Sequence, residues 1–125
     1  MTNHVHIIAR SEMGKLSDNV RDFKRFTSRK IMQLIDENGH KSRKKWMQIV
    51  FSYHAKYNKI TGNRQFWTHE NHAVQLDTNE MIDSKLNCIH ENPVRAGWVE
   101  EAEHYLYSSA RNYWGLDALL EIDLI

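Results

Sequence analysis

Between Leu16 and Ile35 the apolar residues fall at helical intervals, and that spacing constrains the fold more than any other feature of the chain. Leu16, Val20, Phe23, Thr27, Ile31, Leu34 and Ile35 recur three or four positions apart, which lines them along one side of a helix. The pattern predicts an amphipathic helix over Ser17–Asn38. Ser17 is its expected N-cap, Asp18 lies in the first turn where the helix dipole favours an acid, and Gly39 closes it. Arg21, Lys24, Arg25, Arg29 and Lys30 occupy successive turns of the polar side and form a basic stripe. The apolar side must be buried against something, and 125 residues suffice for one domain, residues 1–125, with a modest core.

The rest of the chain divides into shorter elements. Ser42 is expected to cap a second helix running to Ala55, with Trp46, Ile49, Val50 and Tyr53 inside. Lys56–Arg64 has no usable periodicity and reads as a loop. Gln65–Leu76, with Phe66, Trp67, Ala73, Val74 and Leu76 around a polar insert, reads as a strand or strand pair, and Val5–Ala9 reads as a further strand. Asn79 is a suitable N-cap for a third helix to Asn92, with Ile82, Leu86 and Ile89 as its apolar stripe and Pro93 ending it. Tyr105–Gly115 mixes aromatic and small residues, which suits either a short packed helix or a platform for bases.

Composition excludes several classes. No run approaches the roughly 18 apolar residues of a membrane span, so no membrane partner is expected. The N-terminus has no basic segment followed by a long apolar one, and a lone cysteine, Cys88, permits no internal disulfide. Both suit a reducing cytoplasm. The net charge of +1 conceals an uneven distribution. Between Arg21 and Lys59 lie 11 of the 17 Lys and Arg residues against Asp22, Asp36 and Glu37 alone, whereas the stretch from Glu100 holds six acids and one Arg. A basic half in a nearly neutral chain suits an anionic partner, nucleic acid first, although a solvated helix face has the same composition.

On a strand, His4 and His6 of His4-Val5-His6 point to the same side. Two imidazoles so placed reach one divalent ion if a third ligand arrives from elsewhere; otherwise they are a solvated strand face. Cys88 and Asn92 are four apart and share one face of the third helix, with Lys85 three residues before Cys88 on the same polar edge. A helix packed against the strand brings in Asn92 as an oxygen ligand. Two imidazoles and an amide suit Mn²⁺ better than Mg²⁺.

Several stretches resemble the REP-associated tyrosine transposases, relatives of the insertion-sequence-200 type. Met1-Thr-Asn-His-Val-His-Ile-Ile looks like the HUH motif of these single-tyrosine enzymes. Phe23–Ile31, Phe66–Val74, Lys85–Gly97 and Tyr105–Gly115 resemble further family blocks, in family order over nearly the whole chain. The resemblance implies an α+β fold, a ferredoxin-like antiparallel sheet with helices on one face. It implies metal-dependent cleavage and transfer of single-stranded or hairpin DNA, with His4, His6 and Asn92 holding Mg²⁺ or Mn²⁺. Arg21, Lys24, Arg25, Arg29, Lys30 and Lys85 are the candidate DNA contacts.

Two departures from the family stand out. Cys88 occupies the position of the nucleophilic tyrosine, and its shorter thiol implies impaired cleavage; the alternative is a non-catalytic DNA-binding remnant. Relative to the family the chain also begins late, without the usual first strand and helix. A central strand with an open edge invites pairing with a second copy, hence a homodimer.

Overall fold

The computed structural model describes residues 3–38, 42–57 and 62–125. Its elements are α1 (Leu16–Glu37), α2 (Lys44–Lys56), α3 (Asn79–Arg95), a 3₁₀ turn (Ala102–His104) and α4 (Ala110–Tyr113). Contacts divide the chain into two compact units, one of Met1–Ile8 with Val74–Ile125 and one of Ala9–Ala73.

No strand is present among the described residues, so the expected α+β ferredoxin-like sheet is incorrect. The physical reason lies in what the two supposed strands bond to. In the Ala9–Ala73 unit, the segment from Gly62 to Ala73 spends its polar groups on the helices. Gln65 donates its backbone N–H to the Phe51 carbonyl at 2.9 Å, and the Thr68 carbonyl accepts from Lys24 Nζ at 2.7 Å. Trp67 Nε1 donates to Thr27 Oγ1 at 2.9 Å, and its ring stands 6.1 Å from that of Phe23. His72 then turns into the left-handed region at φ +47°, a conformation that breaks extended chain. The segment after Asn3 is irregular, and Val5 and Ile7 are 55% and 60% exposed. A strand exists only by its ladder, and neither segment has one. The homodimer argued from an open sheet edge loses its basis with the sheet.

All three long helices lie where periodicity places them, but their ends differ. α1 begins one residue before Ser17, because the Lys15 carbonyl already accepts the Asn19 N–H at 3.1 Å. Lys15 is the N-cap, and its own N–H is taken by Ser11 Oγ at 3.2 Å. The closing role expected of Gly39 falls outside the described residues. Arg43, not Ser42, precedes α2. Thr78, not Asn79, caps α3, its hydroxyl accepting the Met81 N–H at 3.2 Å.

Pro93 lies inside α3 instead of ending it. So close to the end of the helix its missing N–H forfeits a single bond, and its ring is fully buried. The stop comes at Gly97, whose φ of +70° lets its N–H reach the Val94 carbonyl (2.9 Å) and the Trp98 N–H reach that of Pro93 (3.0 Å). This is the Schellman closure that favours glycine.

Within the Val74–Ile125 part, α4 packs through fully buried Ala110. His90 on α3 meets Ser109 Oγ at 3.0 Å and the Tyr113 ring at 5.2 Å. Of the two readings of this aromatic stretch, the short packed helix is the observed form.

In the other unit the apolar core is small: Ile35 and Ala55 are its only buried hydrophobic residues among those described. Asp36 compensates by joining three segments. Its carboxylate takes two hydrogen bonds from Arg64 Nη1 at 2.7 and 2.9 Å and one from Gln48 Nε2 at 2.9 Å, while its carbonyl accepts from Lys44 Nζ. The Gln48 amide, then Arg64, hold the Asp36 carboxyl below the usual carboxylate range. A carboxyl with a depressed folded pKa stabilises the fold above its unfolded pKa of about 3.9, and that contribution disappears as pH falls through the folded value. Thermal unfolding followed by circular dichroism should therefore show a melting temperature that falls below about pH 4, and Asp36→Asn should flatten that fall. An equally steep acid fall in Asp36→Asn would assign it to other carboxylates.

Candidate metal corner and basic groove

The candidate residues fall into two groups, one in each unit. In the first, His4, His6, Cys88 and Asn92 belong to the same compact unit. The His4 and His6 rings stand 4.9 Å apart, edge to face. Asn92, 86 positions along the chain, brings its amide Nδ2 to 3.4 Å from His6 Nε2. The helical register that sets Asn92 on the exposed edge of α3 thus delivers it to the N-terminal histidines without any strand.

The surroundings of the two rings bear on ligation. His4 Nδ1 pairs with Asn3 Oδ1 at 2.8 Å. That bond keeps the proton on Nδ1 and leaves the Nε2 lone pair free. Partial burial, and then the neighbouring His4, push the His6 pKa below its usual value, so His6 is neutral near pH 7. Half a turn of the Asn92 amide would present Oδ1 in place of Nδ2 to this corner. The set is two imidazoles and one amide, and it carries no charge. No cluster of three or more His, Cys, Asp or Glu side chains able to hold a metal occurs among the described residues.

Cys88 lies one turn before Asn92 and is exposed. Arg95 Nη2 donates both to its sulfur at 3.2 Å and to its carbonyl at 3.0 Å. Arg95 was not among the candidates, although its place seven residues after Cys88, two turns along the same helix face, is a readable signal. Asn3, adjacent to His4, is a second residue missed. Lys85 is exposed on the same helix, with no ion-pair partner among the described residues.

The second group is the basic stripe of α1, which the structure divides. Arg21 is committed to Asp18 at 2.7 Å and Asp22 at 3.2 Å, and its charge is largely offset. Lys24 bonds only uncharged oxygens, those of Thr68 and Asn71, so it keeps its full charge. Arg25, Arg29 and Lys30 have no ion-pair partner among the described residues. Between α1 and the 64–71 segment runs an open groove of about 330 Å³. Lys24, Arg25 and Ser28 form one wall, and Phe66, Trp67 and His69 the other. A cationic wall facing aromatic rings suits phosphate and base together.

No protein-family model matches the chain, and no curated protein or solved structure is significantly similar to it. No helix among the described residues is long and apolar enough to cross a membrane.

Proposed function

We propose that the protein is a transposase-like DNA-binding protein of the REP-associated type, acting in the cytoplasm on single-stranded or hairpin DNA, with a divalent ion at His4, His6 and Asn92 and impaired strand cleavage. The approach of Asn92 to His6 across 86 positions is the observation that carries this reading. It joins the two ends of the motif set on which the family resemblance rests.

The donor set fits Mn²⁺ better than Mg²⁺, which prefers oxygen ligands throughout. An ion held there supplies Lewis acidity at a phosphate. The chain's own residues do the rest. Arg95 and Lys85 present positive charge along the same face of α3. Lys24, Arg25, Arg29 and Lys30 hold the strand by its phosphates, and Trp67 and Phe66 border the groove where a base stacks. Cys88 stands where the family places its tyrosine. The thiol sulfur ends well short of where a phenol oxygen would stand, outside the roughly 3–3.5 Å needed for in-line attack.

Three neutral ligands do little to offset desolvation of the ion, so Mn²⁺ binding should be weak. Calorimetry should show it abolished in His6→Ala and weakened about tenfold in Asn3→Ala, which removes the partner that orients His4. Binding should also fade as pH falls through the lowered pKa of His6, where protons compete for its imidazole. Identical isotherms for all three proteins would remove the site.

Affinity for a single-stranded oligonucleotide should fall with salt at about −0.7 in log–log slope per neutralised phosphate. Arg25→Ala with Arg29→Ala should flatten the slope by about one unit or more, whereas Arg21→Ala should change it little. An unchanged slope in the double variant would return the stripe to a solvated helix face.

With Mn²⁺ and a labelled hairpin, the wild-type protein should give no covalent protein–DNA band, and Cys88→Tyr should give one. A wild-type adduct lost in Cys88→Ala would instead make the thiol a working nucleophile.

A further inference from the structure

α2 carries an aromatic stripe on its outer side. Trp46, Ile49, Tyr53 and the C-cap Tyr57 fall on one helix face and are 56–77% exposed, and the Tyr53 and Tyr57 rings meet at 5.1 Å. Lys45 and Lys56 flank it, neither with an ion-pair partner among the described residues. Contiguous apolar surface of this kind, rimmed by charge, marks an interaction site on a folded chain.

The segment after α4 has the complementary chemistry. Its backbone is held at three points: Arg111 Nε donates to the Asp117 carbonyl at 2.6 Å, Asn112 Nδ2 to the Leu120 carbonyl at 2.8 Å, and the Ile125 N–H to the Tyr113 hydroxyl at 3.2 Å. Its side chains face outward. Leu119, Leu120, Leu124 and Ile125 are each more than half exposed, and Glu121 and Asp123 have no ion-pair partner among the described residues. A segment pinned by its backbone with apolar and acidic side chains presented has already lost much of the freedom that docking would cost it.

The geometry points to self-association, in which the acidic, leucine-rich segment 116–125 of one copy docks on the aromatic face of α2 in a second copy. The partner is argued from complementarity: leucines against Trp46 and Tyr53, and Glu121 and Asp123 against Lys45 and Lys56. Because every copy carries both surfaces, a two-fold pair would form the contact twice. This inference needs neither DNA nor metal and stands apart from the proposed function.

Sedimentation of the 125-residue chain over a concentration series, without DNA or added metal, tests it. The wild type should dimerise reversibly, more weakly as salt rises. Lys45→Glu with Lys56→Glu should weaken the dimer at least tenfold, as should Glu121→Lys with Asp123→Lys. All four replacements are on exposed side chains, and unchanged circular dichroism would confirm that the fold is kept. The protein carrying all four should recover dimerisation, since opposite charges face one another again. A monomer at every concentration would overturn the inference, including the case where the segment covers the α2 face of its own chain. A dimer indifferent to both charge reversals would overturn it too.

Discussion

Asp36 is the point on which the Ala9–Ala73 unit turns. It lies in the last turn of α1, and its carboxylate draws in Arg64 from the segment that precedes Phe66 and Gln48 from α2. With only Ile35 and Ala55 buried among the described hydrophobic residues of that unit, apolar burial alone offers little to fix how three segments lie together. A charged acceptor bonded by one guanidinium nitrogen and an amide supplies direction that a few methyl groups cannot. The groove follows from it. Arg64, held by Asp36, starts the run of chain that carries Phe66 and Trp67 along α1.

Periodicity made the helices legible, and little else. α1, α2 and α3 were readable because a 3.6-residue repeat is a local property of ten or more consecutive residues. Strands were not, because a strand's defining bonds go to a distant partner. In the stretch from Gln65 to Leu76 apolar residues flank a polar insert, yet the Thr68 carbonyl and the Trp67 indole found α1 instead. Caps were misplaced by one or two residues for a related reason. Ser17, Ser42 and Asn79 all have the right chemistry, but the cap is set by which carbonyl first accepts a helical N–H, and at α1 that carbonyl belongs to Lys15.

At the candidate metal corner the sequence carried more than at the fold. Alternation on a strand was the argument for pairing His4 with His6, and the strand is absent; the pair survives because adjacent-but-one side chains on irregular chain also meet, here edge to face. Asn92 was reached through helix register, and α3 is a helix. The supporting residues were the ones missed: Asn3 and Arg95 act through hydrogen bonds to His4 and Cys88; helix register places Arg95 on the Cys88 face, whereas no composition or period singles out Asn3.

The reversal of α2 shows how a polar bond overrides an apolar pattern. This helix holds two stripes at helical spacing. One is Trp46, Ile49, Tyr53 and Tyr57; the other is Lys44, Gln48, Phe51 and Ala55. Hydrophobicity alone turns Trp46, Ile49 and Tyr53 inward, and with Val50 these are the residues the sequence places inside. The structure turns the second inward, because Lys44 and Gln48 both answer to Asp36 while Phe51 packs on Phe66 at 5.5 Å and Ala55 is buried. In the other orientation the Asp36 carboxylate would keep Arg64 but lose Gln48, and its carbonyl would lose Lys44. The rings are left outside as a consequence, and the same choice that anchors α2 to α1 also gives the protein its most exposed aromatic surface.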